Sequence, residues 1–229
     1  MRYGKVLIVV PVYNEEDLIT QTIDGLKKID LIDEIVIIND GSTDNTARVL
    51  DELDVNVISL EENHGKGYAM KKAIEVMDYD YIGFVDGDLG LTSSEIEKLI
   101  YPVVYNNVDF TIAKFPERSI KTNSKGGFGL VKGLAKMGVY LYTNKKMDTS
   151  LSGQRIYKKE VIDAIEYIPI HYGIEVAMTI QALKNGFTFE EIPVNMTHRY
   201  SERSLEGFRH RGNQFLDILK TLIVMLFRR

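Results

Sequence analysis

The sequence contains no cysteine, which excludes disulfide scaffolds, thiolate zinc sites, iron–sulfur clusters and thiol nucleophiles. Histidine is almost as scarce. His64, His171, His198 and His210 are the whole supply, and none stands in an HExxH spacing, so a zincin is excluded as well. Long apolar runs are also missing. The longest, Leu222–Phe227 with Phe215, Leu216, Ile218 and Leu219 ahead of it, falls short of the roughly 20 residues that cross a bilayer. Val6–Val10 is too short for the apolar part of an export signal, and no small-residue cleavage site accompanies it. The chain is therefore expected to be cytoplasmic, able to touch the inner face of a membrane but not to span it.

With 229 residues, 45% of them apolar and 27% charged, the chain suits one globular domain carrying an elaboration. The net charge of −5 argues against nucleic acid as a partner of the whole molecule, but it hides an asymmetry. Residues 1–113 hold nine Lys/Arg against 22 Asp/Glu, whereas residues 114–229 hold 19 against 11. A basic back half collects phosphates or anionic lipid, unless its charges are merely solvated.

Short β-branched apolar runs recur at Val6–Val10, Glu34–Ile38, Val55–Leu60, Tyr81–Val85 and Asp109–Ala113. Helical patterns lie between them, near Glu15–Lys28, Thr43–Leu53, Gly67–Met77 and Ser93–Tyr105. Continuous apolar strands separated by helices predict an α/β fold, a mostly parallel sheet covered on both faces. Beyond residue 114 the rhythm changes. A basic, Gly-rich loop at Lys121–Gly129 leads into an amphipathic stretch ending near Tyr142, in which Lys132 and Lys136 interleave with apolar residues. A strand is expected within Ser152–Tyr157, a helix around Ile174–Asn185 closed by Gly186, a strand at Phe187–Asn195, and an amphipathic helix from Gln214 onward. That last helix either packs on the core or lies on a lipid surface.

Ligands of such sheets bind beyond the carboxyl ends of the strands. Pro11-Val12-Tyr13-Asn14-Glu15 follows the first strand, Asn39-Asp40-Gly41-Ser42-Thr43-Asp44 the second, Asn63-His64-Gly65-Lys66-Gly67 the third and Asp86-Gly87-Asp88 the fourth. Two acids with a glycine between them, at the end of a buried strand, suit a hard divalent cation such as Mg²⁺ or Mn²⁺; the alternative is a turn in which they bond backbone amides. Lys66 lies in neither a GxxxxGK[ST] nor a GxGxxG pattern, so P-loop and dinucleotide readings fail, although amides and one lysine at a helix start can still face an anion. Asp40 can accept hydrogen bonds from a base or ribose, while Ser42 and Asp44 can cap the next helix.

In this order and spacing the four motifs resemble the family 2 glycosyltransferases of the GT-A fold. Asp148-Thr149-Ser150-Leu151-Ser152-Gly153-Gln154-Arg155, with Glu175 and Glu191-Ile192-Pro193-Val194, resembles the branch containing dolichyl-phosphate mannose synthase and the polyprenyl-phosphate glycosyltransferases. The resemblance implies a single GT-A domain over residues 1–229: a nucleotide-sugar half (1–113), an acceptor half (114–212) and an amphipathic tail helix (213–229). It also implies that Pro11, Tyr13, Glu15 and Asp40 hold the nucleoside, with Lys66 and Gly87 beside the nucleotide. Asp86 and Asp88 would face the diphosphate through Mg²⁺ or Mn²⁺, and Arg155 would meet acceptor phosphate. Two departures stand out: Asn39 where Asp is frequent, and Gly90 where lipid-phosphate enzymes often carry a metal-ligating Gln. His198 is the candidate to complete the shell, if it is not an ordinary surface histidine. Arg199 and Arg203, with Arg209 and Arg211, either close over a diphosphate or form a patch for anionic lipid.

The expected reaction is inverting, metal-dependent transfer of a hexosyl unit from a UDP- or GDP-sugar to a polyprenyl or dolichyl phosphate at a membrane surface. A phosphate acceptor is largely dianionic at neutral pH and needs no base, whereas a hydroxyl acceptor would need one, with Asp148 and Glu175 as candidates. Glu175 could instead orient Arg155. Rival readings are a transferase using a soluble phosphorylated or carbohydrate acceptor, and a non-catalytic nucleotide-sugar-binding or membrane-docking protein.

Overall fold

A computed structural model describes residues 4–116, 128–198 and 205–228; most of the expected Lys121–Gly129 loop, together with Arg199 and Arg203, lies outside the described residues. Strands β1 (Val6–Val12), β2 (Glu34–Asn39), β3 (Asn56–Ser59) and β4 (Tyr81–Phe84) alternate with helices α1 (Ile19–Leu26), α2 (Thr46–Asp51) and α3 (Lys66–Val76). A 3₁₀ segment (Gly90–Ile96), α4 (Glu97–Tyr105), β5 (Phe110–Lys114) and α5 (Phe128–Thr143) follow. The chain then runs through β6 (Arg155–Lys158), α6 (Lys159–Asp163), α7 (Ile174–Lys184), β7 (Phe189–Pro193) and α8 (Leu205–Phe227).

Two helix starts differ from the apolar periodicity for local reasons. α1 begins at Ile19 rather than Glu15 because the preceding residues are drawn to the loop after β2. The Glu15 amide donates to Thr46 Oγ1 at 2.8 Å, and the Asn45 side chain donates to Glu16 Oε2 at 2.7 Å. The helix expected from Ser93 opens as the 3₁₀ segment, where the Ser93 hydroxyl donates to the Thr22 carbonyl of α1 at 2.7 Å. α8 is longer than expected, reaching back from Gln214 to Leu205.

The strands form a seven-stranded sheet in the order β3-β2-β1-β4-β6-β5-β7. β1 pairs in parallel with both β2 and β4, and β2 with β3, while β6 runs against both β4 and β5. The sheet is therefore mostly parallel, with one reversed strand. Side chains two apart share a face, so β1 sends Leu7 and Val9 to one core and Val6, Ile8 and Val10 to the other. The first core lies under α3, α5, α7 and α8; the second lies under α1, the 3₁₀ segment and α4. After β3 the chain returns to the opposite side of β1. The carboxyl ends of β1 and β4 consequently flank a topological switch point, where α/β sheets open a crevice.

Candidate active site

The crevice is a cleft of about 620 Å³, within the range of small-molecule sites. β1 and its loop contribute Pro11, Val12, Tyr13 and Glu15, and β2 is followed at once by Asp40. The start of α3 brings Asn63, Gly65 and Lys66, and the turn after β4 brings Asp86, Gly87 and Asp88. The opposite wall is His171, Tyr172, Ile174 and Glu175, from the segment that opens α7. Of the expected nucleotide-side positions, Pro11, Tyr13, Glu15, Asp40, Lys66, Asp86 and Gly87 all line this one cleft.

Much of the polar loop sequence holds the loops to one another. Asn14 takes up a left-handed backbone (φ +59°), which asparagine tolerates, and its Oδ1 accepts the Thr43 amide at 2.8 Å. Asn39 is buried and accepts the Ser42 amide at 3.2 Å, so it shapes the turn and does not line the cleft. Asp40 accepts the amides of His64 and Gly65 at 2.9 and 2.8 Å. The anion at the start of α3 is thus partly intramolecular: Asp40 takes two amides that a phosphate could have used, and the Gly67 amide goes to the Ile170 carbonyl. Gly65 permits the arrangement because its φ of +96° suits glycine.

Lys66 and Asp86 form the electrostatic centre. Lys66 Nζ lies 2.6 Å from Asp86 Oδ1 and 3.4 Å from Glu175 Oε1. Gln154 is buried and donates through Nε2 to Asp86 Oδ2 at 2.6 Å. Burial works against the lysine's charge, but Asp86 and Glu175 overcome it and raise its pKa. Burial likewise opposes ionisation of Asp86, and Lys66, His198 and the hydrogen bond from Gln154 reverse this, holding the carboxyl below its ordinary range. Gly153 leaves room beside them, since a Cβ there would displace the Lys66 ammonium and press on both Asp86 oxygens. Gln154 carried no assigned role in the sequence. Only the pairing of Phe84 with Arg155 on the reversed strand reveals it, by setting Gln154 beside the end of β4.

Asp88 pairs with His198, Nδ1 to Oδ1 at 3.0 Å, and the imidazole stacks on Phe115 with ring centroids 4.8 Å apart. Burial lowers the His198 pKa, but the Asp88 hydrogen bond and the charges of Asp86 and Asp88 outweigh it, leaving it raised. One ligand atom from each of Asp86, Asp88 and His198 falls within 4.8 Å of the others. Two carboxylate oxygens and an imidazole nitrogen are a donor set that fits Mn²⁺ or Mg²⁺. The turn carrying Asp88 is held from below by Thr22 of α1. This buried hydroxyl donates to the Gly87 carbonyl at 2.8 Å and accepts the Gly90 amide at 2.9 Å, a connection that the sequence does not signal.

Two expected site residues lie elsewhere. Arg155 is 1% exposed. Its guanidinium donates to the Ser150, Ser152 and Glu175 carbonyls, to Thr179 Oγ1 at 2.6 Å and to Tyr157 Oη, so it ties β6 to α7 instead of facing an acceptor. The link to Glu175 runs through that residue's backbone, while its carboxylate turns to Lys66. Asp148 stands outside the cleft lining, its side chain 58% exposed and ion-paired with Lys114 at 2.7 Å and Lys136 at 3.2 Å. A carboxylate clamped between two surface ammonium groups is a poor base. Arg209, His210 and Arg211 lie on α8, but their side chains are outside the described residues.

Known proteins carry the same architecture. The chain is 25% identical to an uncharacterized protein of Methanocaldococcus jannaschii, over 96% of this chain and 99% of that one. It is also 25% identical to the undecaprenyl-phosphate 4-deoxy-4-formamido-L-arabinose transferase of Proteus mirabilis, over 98% of this chain and 68% of that protein. Among solved structures, the glucosyl-3-phosphoglycerate synthase of Mycobacterium tuberculosis in complex with Mn²⁺, UDP and phosphoglyceric acid superposes with a TM-score of 0.78. The two are 21% identical, over 96% of this chain and 78% of that one. The same enzyme with Mg²⁺ and UDP gives 0.76. The model of Glycosyl transferase family 2 matches residues 7–165, from β1 through α6, and the chain belongs to that family of glycosyltransferases.

Proposed function

We propose that the protein transfers a hexosyl unit from a UDP- or GDP-sugar to the phosphate of a polyprenyl phosphate at a membrane surface, inverting the anomeric carbon. The observation that carries this reading is the grouping, in the lining of one cleft, of Asp88, which pairs with His198, and a lysine held between two carboxylates. The P. mirabilis relative is named for an undecaprenyl-phosphate acceptor, and the M. tuberculosis enzyme was crystallised with UDP and Mn²⁺.

Asp88 and His198 would hold Mn²⁺ or Mg²⁺ with Asp86 beside them, and the ion when bound supplies Lewis acidity toward the leaving diphosphate. Pro11 and Tyr13 offer flat surface for the base, and Glu15 and Asp40 offer acceptors for its polar edge or the ribose. Lys66, kept positive by Asp86 and Glu175, presents a fixed cation whose orientation is set before substrate arrives. The carboxylates of Asp86 and Glu175 can also receive sugar hydroxyls. Each is already committed to Lys66, and Asp40 to two amides. A nucleophile arriving as a dianion suits such a cleft, because it attacks without giving up a proton.

A soluble phosphorylated acceptor is the second reading, favoured by the phosphoglyceric acid in the M. tuberculosis complex. Release of nucleoside diphosphate from a panel of UDP- and GDP-sugars, with Mn²⁺, separates the two. Turnover on polyprenyl phosphate in detergent, with none on phosphoglyceric acid, supports the lipid acceptor. The reverse result overturns it, and donor binding unaffected by Mn²⁺ overturns the metal assignment.

A further inference from the structure

Two neighbouring helices turn apolar residues both inward and outward. α5 buries Val131, Ala135 and Val139, while Leu130, Met137 and Leu141 are exposed. α8 buries Ile218, Leu222 and Met225, while Leu216, Ile223 and Phe227 are exposed in the same seven-then-four spacing. The buried sets join one core, and the Tyr142 hydroxyl of α5 donates to the Leu222 carbonyl of α8 at 2.6 Å, so the helices lie side by side. Their exposed stripes therefore face outward from the same side of the molecule. A helix that only covers a core shows water a polar face; here the outer stripes are apolar, Leu130 reaching 73% exposure and Phe227 84%.

The sequence of these two helices and the residues that follow them is predominantly basic. Segments 128–147 and 205–229 together hold nine Lys/Arg and only two Asp/Glu, Glu206 and Asp217. Lys145 and Lys146 are exposed at the end of α5, and Lys220 is exposed on α8. We infer that the paired outer faces of α5 and α8 are a docking surface for an anionic lipid bilayer, on which the protein lies without crossing it. Among the described residues no helix is long and apolar enough to span, and apolar stripes with a basic rim suit the headgroup region of an anionic leaflet. A second copy is the poorer occupant, because a two-fold contact through this face would set one basic rim against another. The surface adjoins the cleft: Thr221 of α8 packs against Gly173, next to the lining residues Tyr172 and Glu175.

This inference deepens the membrane-surface part of the proposed function, and vesicles free of any polyprenyl phosphate test it apart from the choice of acceptor. The full chain is sedimented with phosphatidylglycerol vesicles and with phosphatidylcholine vesicles. Preferential pelleting with phosphatidylglycerol is expected, falling about tenfold in the Leu141→Glu/Ile223→Glu double variant and weakening in Lys145→Glu/Lys146→Glu. An unchanged melting temperature and unchanged UDP binding would show that the variants are folded. Equal pelleting of the double variant and the parent overturns the inference. So does a parent that stays in the supernatant as a dimer which the double variant splits.

Discussion

From β1 to β4 every strand runs the same way, and each delivers the loop that follows it to one edge of the sheet. From β5 onward the direction is mixed, because β6 opposes both of its neighbours. The two regions consequently use polar residues differently. In the parallel half, a polar motif after a strand becomes cleft lining almost automatically. In the mixed half, the residues before β6 reach that edge, and those within it are drawn into the sheet. Gly153 and Gln154 thus meet Asp86, while Arg155, one step further along, is buried under α7.

The sharpest way to break the comparison is to remove chemistry from the parallel half. Asp88→Ala should lower metal-dependent turnover by about a thousandfold, close to 4 kcal/mol of transition-state stabilisation, with little change in melting temperature. Calorimetric titration of Mn²⁺ in the presence of UDP checks it directly, since the variant should lose the metal-dependent heat. A variant that keeps full Mn²⁺-dependent donor binding would take Asp88 out of the site.

Arg155 is the counterpart from the mixed half, and its substitution should act on stability first. Arg155→Leu leaves buried carbonyls and hydroxyls without a donor, a loss of about 3 kcal/mol, or close to 10 °C in Tm for a chain of this size. The residual activity per folded molecule should keep its acceptor KM. If the protein stays fully stable while the acceptor KM climbs, Arg155 belongs to the acceptor site after all.

Thr22 tests how far the parallel half depends on support beneath the loop. Thr22→Val keeps the shape and removes two buried hydrogen bonds around Gly87 and Gly90, costing about 1–2 kcal/mol. Because the turn it loosens carries Asp88, the Mn²⁺ concentration for half-maximal turnover should rise about tenfold, while kcat at saturating Mn²⁺ changes less. Thr22→Ser, which restores the hydroxyl, should recover the metal dependence; failure to do so would reduce Thr22 to a packing residue.

The fold was legible because its signal is repetitive. Val6–Val10 and Val36–Ile38 are each buried on two faces, and short loops between alternating elements leave few topologies open. The cleft was legible where a motif sits directly after a strand, as with Asp40 and Asp86. His198 could be named but not placed: its link to Asp88 spans 110 residues and depends on how the segment after β7 returns. Thr22 gave no warning, and Gln154, although part of the 148–155 motif, carried no role there, because these roles come from helix contact and strand register. Arg155 misled for a physical reason. A guanidinium has five donors, and a ring of backbone carbonyls can satisfy them as well as a phosphate can.

Asp148 carries the smallest expected effect and the cleanest sign. Hydrogen bonds from Lys114 and Lys136 hold its carboxyl below the ordinary aspartate range. A lowered folded-state pKa contributes stability above the unfolded value and loses it as pH falls through the folded one. The group is largely exposed, so solvent screening keeps that contribution under about 0.5 kcal/mol. Asp148→Asn should therefore leave kcat unchanged and slightly flatten the loss of stability at acid pH, read from urea melts at neutral pH and near pH 3. The backbone around position 148 should hold in the variant, because Glu191 accepts the amides of residues 148 and 149 irrespective of the side chain. A hundredfold fall in kcat with the melts unmoved would instead return Asp148 to the reaction as a base, and with it the case for a hydroxyl acceptor.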